Sequence, residues 1–246
     1  MISLKLTILG YSGGFPAPGG ATSGYLLEIG PRRILIDCGS GVLSNLFKLI
    51  PVNKIDAIIL THLHYDHISD MQVLKYAIDL SRRYGIDMNP IPVMAPKTPE
   101  QLASSLESDG NLIIGQISND SPMKLFDATI RFIPMEHPVE TYGLSIEAEG
   151  KKLVYTADSV PCDNLPVLLK DADVAVVDAG TLERYRKPVM VHMTAMECAR
   201  LARENNVKRL VLSHLLPILD PKEILEEARR EYPDAVLAEL MQTIEI

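Results

Sequence analysis

Thr61-His62-Leu63-His64-Tyr65-Asp66-His67 places three imidazoles and one carboxylate within seven residues. The apolar segment 55–60 precedes this motif and predicts a short strand that is buried on both faces. Side chains alternate along an extended segment, so His62 and His64 face the same way and the leucine between them turns back to the core. The last two residues of the motif fall on the turn into the next helix, where they can face a second ion. Because the chain of 246 residues has only 6 histidines, this cluster indicates a metal site.

Length and charge set the broad class of the protein. A chain of 246 residues can bury a full core, and no linker or repeat interrupts it, so we predict one domain over residues 1–246. The 32 acidic and 24 basic residues give a net charge of −8, which repels phosphate backbones unless a basic patch overrides it. We therefore expect a small-molecule substrate and no large nucleic acid as a partner.

Cysteine usage and hydropathy predict a cytoplasmic protein. The N-terminal residues alternate like a strand and lack the basic start and long apolar run of a signal peptide. No segment approaches the roughly 20 apolar residues of a membrane span, so no membrane partner is expected. Cys38, Cys162 and Cys198 are odd in number and far apart, which predicts small reduced side chains rather than disulfides.

Polar residues follow four other apolar segments at the point where each predicted strand ends. These residues are Asp37, Asp158, Asp178 and His214. Sites of α/β proteins gather at such strand ends, so together with the histidine motif they suggest a single cleft. A carboxylate at such a position can also simply cap the following turn.

The remaining pattern is that of a mixed α/β protein. Apolar periodicity predicts strands over 2–9, 24–29, 33–37, 109–133 and 234–246, and helical spacing over 68–84. Other helices are predicted over about nine residues before Pro51, from Thr98 to Ser108, after the capping box Thr194-Ala195-Met196-Glu197, and after Asp220-Pro221. The proline-punctuated segment 89–96 predicts an edge strand or a linker. The glycine- and proline-rich segment 10–20 predicts a loop and lacks the lysine of a phosphate-binding P-loop.

The motif His-x-His-x-Asp-His resembles that of the metallo-β-lactamase superfamily. The later stretches His192-Met193-Thr194-Ala195 and Val211-Leu212-Ser213-His214 resemble its ribonuclease Z and phosphodiesterase branch, and the likeness spans nearly the whole chain. It implies a four-layer αββα sandwich with the site at one edge of two sheets. It also implies that the loop 10–20 borders the site and that Asp37 orients ligand histidines.

The resemblance further implies a dinuclear metal site. One ion would be held by His62, His64 and His137, the other by Asp66, His67 and His214, and Asp158 would bridge them. Two cations about 3.5–4 Å apart lower the pKa of bound water to about 7, so that a bridging hydroxide can attack the substrate. Imidazole and carboxylate ligands suit zinc, which we expect, with manganese or iron as alternatives.

Three residues are expected to be catalytic, namely Asp66, His192 and Asp178. In the resembling branch the histidine that matches His192 stands over the metals and assists departure of the leaving group. An acidic residue holds that histidine, and an aspartate there would raise the pKa of the imidazole. The branch usually has glutamate at this position, so the shorter Asp178 leaves the pairing open.

The substrate expected from this reading is a small phosphodiester. Ribonuclease Z enzymes insert a long basic arm between the residues that match His137 and Asp158, whereas only twenty residues separate them here. Processing of transfer RNA is therefore not expected, and a cyclic nucleotide, a ribose cyclic phosphate or a short oligonucleotide is. A lactonase or thioesterase is the alternative, since the same hydroxide could attack a carbonyl. Tyr142 could polarise that carbonyl, although a core or surface tyrosine is the simpler reading. A non-hydrolytic binding protein is a further alternative, and the resemblance suggests a homodimer.

Overall fold

Two mixed β-sheets lie at the centre of the molecule. The computed structural model describes residues 3–107 and 110–246. The strands of this part of the chain are β1 Leu4–Gly10, β2 Gly24–Ile29, β3 Arg32–Ile36, β4 Ala57–Ile59, β5 Ile91–Ala95, β6 Leu112–Gln116, β7 Met123–Leu125, β8 Ala128–Pro134, β9 Tyr142–Ala148, β10 Lys151–Tyr155, β11 Val174–Asp178, β12 Leu210–Ser213, β13 Val236–Leu237 and β14 Thr243–Glu245. The first sheet has the order β14-β1-β2-β3-β4-β5-β6 and the second the order β13-β12-β11-β10-β9-β8-β7.

Each sheet combines antiparallel and parallel pairs. In the first sheet β1, β2 and β3 are antiparallel and β3 to β6 are parallel. In the second sheet β7 to β10 are antiparallel and β10 to β13 are parallel. The carboxyl ends of β3 and β4 therefore lie together in one sheet, and those of β10, β11 and β12 lie together in the other. These are the strands after which the sequence places its polar residues.

Helices cover the outer faces of both sheets. They are α1 Val42–Leu46, α2 Tyr65–Ile68, α3 Met71–Arg83, α4 Glu100–Ser105, α5 Asn164–Leu169, α6 Ala195–Glu204 and α7 Pro221–Arg229. The Thr194 side chain and Glu197 form the capping box that opens α6. Asp220 caps α7, which has Pro221 at its first position. None of the described helices is both long and apolar enough to span a membrane.

Three apolar cores separate four layers. The first core lies between the sheets and includes Tyr25 and Leu144. The second joins α1 and α3 to the outer face of the first sheet, and the third joins α5, α6 and α7 to the second sheet. Burial at both faces explains why the central strands are almost entirely apolar. The predicted αββα sandwich is confirmed.

Two predicted helices have other bounds in the structure. The helix before Pro51 is the five-residue α1, because Gly41 at its N-terminus has a left-handed backbone (φ 85°) and the chain leaves the helix after Leu46. The helix predicted from Thr98 begins only at Glu100, since Pro99 is its extended N-cap, and it ends at Ser105. Ser108, its predicted last residue, lies outside the described residues, as does residue 2, the predicted start of the first strand.

The two strand predictions that depended on sheet position were wrong. The segment 89–96 contains β5, which is an interior strand between β4 and β6 rather than an edge. Pairing with β4 begins at Val93, so Pro92 lies beyond it and its missing amide breaks no bond of that pair. The single final strand predicted over 234–246 is instead two short strands in different sheets, β13 and β14.

Candidate metal centre

Asp37 fixes the start of the histidine motif. It follows β3, and its carboxylate accepts hydrogen bonds from the Thr61 amide (2.8 Å) and from the Thr61 hydroxyl. It also lies 2.8 Å from Nδ1 of His67 and accepts a bond from the Tyr155 hydroxyl. One fully buried carboxylate therefore joins the ends of two neighbouring strands, the helix α2 and the opposite sheet. This is the orienting position that the sequence assigned to it.

The first ligand set lies where both sheets meet. Side-chain atoms of His62, His64, His137 and Asp158 lie within 4.8 Å of one another. His62 and His64 follow β4, His137 follows β8 and Asp158 follows β10. Nε2 of His137 is 3.1 Å from Nδ1 of His64, a separation that allows both nitrogens to face one ion.

The second set shares Asp158 with the first. Asp66, His67, Asp158 and His214 also offer ligand atoms within 4.8 Å of one another. Asp66 and His67 lie in the short helix α2, and His214 follows β12 with a left-handed backbone (φ 54°). Nε2 of His214 is 3.2 Å from both Asp66 Oδ2 and Asp158 Oδ2. The structure thus brings together all seven residues that the sequence grouped as metal ligands.

The outer ring nitrogens of these histidines are held by the protein. Nδ1 of His62 is 3.2 Å from the Thr61 hydroxyl, Nδ1 of His67 faces Asp37, and Nδ1 of His137 is 3.3 Å from the Val191 carbonyl. Such bonds fix the tautomer and turn Nε2 toward a metal. The Thr61 and Val191 contacts were not predicted from the sequence; only the position of Thr61 directly before the motif could have signalled its role.

Unpartnered buried atoms show that the centre fits a cation. Nε2 of His62, Nε2 of His67 and Oδ1 of Asp158 have no hydrogen-bond partner among the described residues, although all are buried. Orphan buried polar atoms are costly, and imidazole with carboxylate is a donor set for divalent transition metals. Apart from the shared Asp158, each set has three ligand residues of its own, which is the number found in catalytic rather than closed structural sites.

The ligand histidines form two groups that differ in the direction of their pKa shifts. Burial lowers the pKa of His62 and of His64, and it lowers the pKa of His137 to about 4. These imidazoles are therefore neutral at physiological pH, the form that binds a metal.

The other two ligand histidines have raised pKa values because carboxylates lie close to them. Burial opposes protonation of His67, but Asp158 and Asp37 outweigh it and raise its pKa to about 10. Burial likewise opposes protonation of His214, and Asp158 and Asp178 raise its pKa well above the usual value. The carboxylates thus favour a positive charge beside His67 and His214. A divalent cation would compete with protons for the nitrogens of these two rings.

Asp178 joins His192 to the metal centre. Its Oδ2 lies 2.9 Å from Nδ1 of His192, and its Oδ1 lies 3.4 Å from Nδ1 of His214. The amides of Ser159 and Gly180 donate to the same carboxylate. Burial lowers the pKa of His192, but the adjacent Asp178 raises it above the usual value overall. The pairing that the sequence left open is formed, and the His192 side chain remains 21 % exposed.

The glycine-rich loop 10–20 contacts two of the grouped ligand residues, Asp66 and His214. The amide of Gly14 donates to Asp66 Oδ2 at 2.8 Å. A Cβ at Gly13 would lie 2.7 Å from the His214 ring, so only glycine lets the loop approach this closely. The sequence placed the loop beside the site but gave no sign of these contacts, because the partners are far away along the chain.

The Tyr142 hydroxyl binds Glu140, which is not one of the grouped ligand residues. It is part of the core between the sheets, and its hydroxyl donates to Glu140 at 2.8 Å. Burial and Glu140 raise its pKa to about 12. This agrees with the reading of Tyr142 as a core residue, with its hydroxyl engaged by Glu140.

Comparison with known proteins finds similarity over most of the chain. The model of the family described as Beta-lactamase superfamily domain matches residues 32–215. The chain is 34% identical over 212 residues to the probable metallo-hydrolase YhfI of Bacillus subtilis, covering 86% of this chain and 87% of that protein. The crystal structure of YhfI, described as a metallo-beta-lactamase fold protein, superposes with a TM-score of 0.95 at 31% identity and covers 99% of this chain and 100% of YhfI.

Two further similarities concern more distant proteins. A ribonuclease Z of Mycobacterium bovis is 29% identical over 247 residues, covering 89% of this chain and 88% of that enzyme. A diphosphatase of the PhnP family superposes with a TM-score of 0.75 at 22% identity, over 99% of this chain and 98% of the diphosphatase, which shows a common fold.

Proposed function

The chain belongs to the beta-lactamase superfamily and is a hydrolase of the metallo-β-lactamase fold, and from that premise we propose that it is a dimetal phosphodiesterase acting on small phosphodiesters. The metals proposed are two divalent cations, zinc first, with manganese or iron as alternatives. The observation that carries the proposal is the pair formed by His192 and the buried Asp178 beside the ligand sets.

The Asp178 carboxylate gives His192 the properties of an acid. It binds Nδ1 of the imidazole, so Nε2 is the nitrogen that can meet a substrate. The same carboxylate raises the pKa of His192, which keeps a proton available near neutral pH. In a phosphodiester hydrolysis Nε2 would give this proton to the departing alkoxide oxygen, and the neutral imidazole left behind would keep its Nδ1–H hydrogen bond to Asp178.

The metal ligands supply the other half of the reaction. Two divalent cations, when bound, would lower the pKa of a coordinated water and offset the charge of the phosphate. Asp158 lies in both ligand sets and would hold the two ions at a fixed separation. Asp66 Oδ2 accepts from the Gly14 amide and lies 3.8 Å from Nε2 of His67 and 3.2 Å from Nε2 of His214, so this oxygen is the one that would face an ion.

The short connection between the two halves of the site favours a small substrate. Between His137 and Asp158 the chain contains only the hairpin of β9 and β10, closed by Glu149 and Gly150 with left-handed backbones. No arm that could hold transfer RNA extends from it. A relative is named ribonuclease Z, but we propose small diesters for this chain and no large nucleic acid as a partner.

The test of His192 compares two substrates whose leaving groups differ in their need for a proton. We would measure hydrolysis of bis(p-nitrophenyl) phosphate and of an alkyl diester such as a cyclic nucleotide, with wild type and His192→Ala at equal metal content. An alkoxide needs a proton and nitrophenolate hardly does, so the alkyl diester should lose roughly 10²–10⁴-fold in rate and the aryl diester much less. Val189→Ala, an exposed position in the loop before His192, is the matched control.

Two results would contradict the proposal. One is a protein with two bound ions that hydrolyses neither diester. The other is an equal loss on both diesters in His192→Ala, which would remove the acid role. Asp178→Asn keeps the size of the side chain and should shift the alkaline limb of the pH profile to lower pH, because the acid is active only when protonated and the neutral amide no longer raises the pKa of His192.

A further inference from the structure

A cleft of about 590 Å³ opens beside the metal centre. One wall is formed by residues 186–188 and 190–191, which precede His192, and the other by residues 136–138 and 160–161. The amide of Val160 donates to the Glu136 carbonyl, so the second wall is a connected backbone surface. The volume lies within the range of about 300–1,000 Å³ that is typical of small-molecule sites.

The cleft adjoins the side of the centre where His192 lies. His137 lines it directly and is also one of the first set of ligands. The rings of His137 and His192 are 5.6 Å apart, and Arg186 donates to the His192 carbonyl at 3.1 Å. A group attached to the ester oxygen that faces His192 would therefore reach this cleft.

The lining combines flat apolar faces with one anion and two cations, one of which is already paired. Pro138, Pro161 and Pro188 present rigid rings to it. Lys187 and Glu136 lie at the same cleft, and within residues 3–107 and 110–246 neither side chain has an ion pair or a hydrogen bond. Arg186 is already engaged, since it pairs with Glu197 at 3.2 Å.

This lining selects between the classes of diester substrate. A second phosphate or carboxylate would meet the Glu136 carboxylate, a like charge. A ribose cyclic phosphate without a base would leave the proline faces uncovered. A planar ring with both donors and acceptors on its edge satisfies the apolar walls and both charged side chains, and a nucleobase is such a ring.

On the premise of the phosphodiesterase function, we propose that this cleft binds the base of a nucleoside phosphodiester. The prolines pack on the ring, and Lys187 donates to, and Glu136 accepts from, its edge. The substrate is then a cyclic nucleotide or a short oligonucleotide rather than a base-free cyclic phosphate. Pro188, Lys187 and Glu136 determine specificity and take no part in the chemical step.

The test places a charge in the cleft and compares substrates with and without a base. Pro188→Asp should raise KM for a cyclic nucleotide by tenfold or more, the scale on which a pocket discriminates a buried group. A ribose cyclic phosphate lacking a base should be unaffected. Val189→Asp is the matched control, because it adds the same charge to the adjacent residue, which is exposed and does not line the cleft.

Inhibition by adenosine gives a readout that does not need the nucleotide to turn over. Adenosine should inhibit hydrolysis of bis(p-nitrophenyl) phosphate by wild type, ribose should not, and Pro188→Asp should weaken the inhibition. Equal rates for substrates with and without a base, or an equal effect of Pro188→Asp and Val189→Asp, would overturn the cleft assignment and leave the phosphodiesterase intact. Absence of all diester hydrolysis would overturn both.

Discussion

Gly13→Ala should weaken binding of the metal ion assigned to Asp66, His67 and His214 without straining the backbone. Gly13 is not in the left-handed region, so alanine is allowed there by its own conformation. Its Cβ, however, would lie 2.7 Å from Cε1 and Nδ1 of His214 and from the carbonyl oxygen of the same residue. Carbon atoms in contact prefer separations of about 3.5–4.0 Å. His214 or the loop must therefore move by about 0.8 Å or more.

The loop cannot easily provide that movement. The Gly13 amide donates to the Leu215 carbonyl at 2.9 Å, and the Leu215 amide donates to Tyr11, so both sides are bonded together. The His214 ring must therefore move, and a metal–ligand distance tolerates a change of only about 0.2 Å. Disturbing the support of a ligand typically costs 10–100-fold in metal affinity. This corresponds to about 1.4–2.8 kcal/mol.

Competition with a chromophoric chelator, together with metal analysis of the purified protein, measures this effect. Wild type should hold two ions, and Gly13→Ala should hold the second one 10–100-fold more weakly. Gly19→Ala is the control in the same loop: it meets no atom within 4 Å, but its φ of +73° makes alanine costly, so it should lower stability and leave metal affinity unchanged. Wild-type affinity for both ions in Gly13→Ala would refute the reasoning.

Three further perturbations test other contacts of the site and fold. Gly180→Ala would place a Cβ 3.0 Å from both Asp178 and His192, so hydrolysis of an alkyl diester should fall more than that of an aryl diester, and equal rates would contradict this. Burial raises the pKa of Glu140, but hydrogen bonds from two hydroxyls and an amide lower it overall. Its carboxylate therefore stabilises the fold above the ordinary pKa of about 4.3 and loses that effect as the pH falls through the folded value; in urea unfolding Glu140→Gln should cost about 1 kcal/mol at neutral pH and nothing in acid. Zinc at 100 times its Kd should add about 2.7 kcal/mol and raise Tm by about 5–10 °C over chelator-treated protein in a thermal scan, and equal Tm values would argue against a folded-state metal site.

Local patterns carried most of the sequence prediction. The histidine motif could be read because its two-residue periodicity and the preceding apolar strand are neighbours in the chain. The strand-end positions of Asp37, Asp158 and His214 were visible for the same reason. Each of these side chains lies where the end of a strand must deliver it, and the structure places them in one cluster.

Contacts between distant segments could not be read in this way. Alternating apolar residues look alike in either sheet, so residues 234–246 gave no sign that they divide between the two. Pro92 suggested an edge, yet the pairing of β5 with β4 starts one residue later and tolerates it. The approach of Gly13 to His214, and the cleft lined by Glu136 and Lys187, depend on how loops from separate strands meet.

The division of the last strands also affects how the protein is made. β13 pairs with β12 and β14 pairs with β1, so one short segment closes an edge of each sheet. During synthesis on the ribosome β1 and β12 remain unpaired on that side until residues 236–245 have left the exit tunnel. Open apolar edges recruit other chains, and the nascent protein is therefore exposed to aggregation at both edges until this segment has left the tunnel.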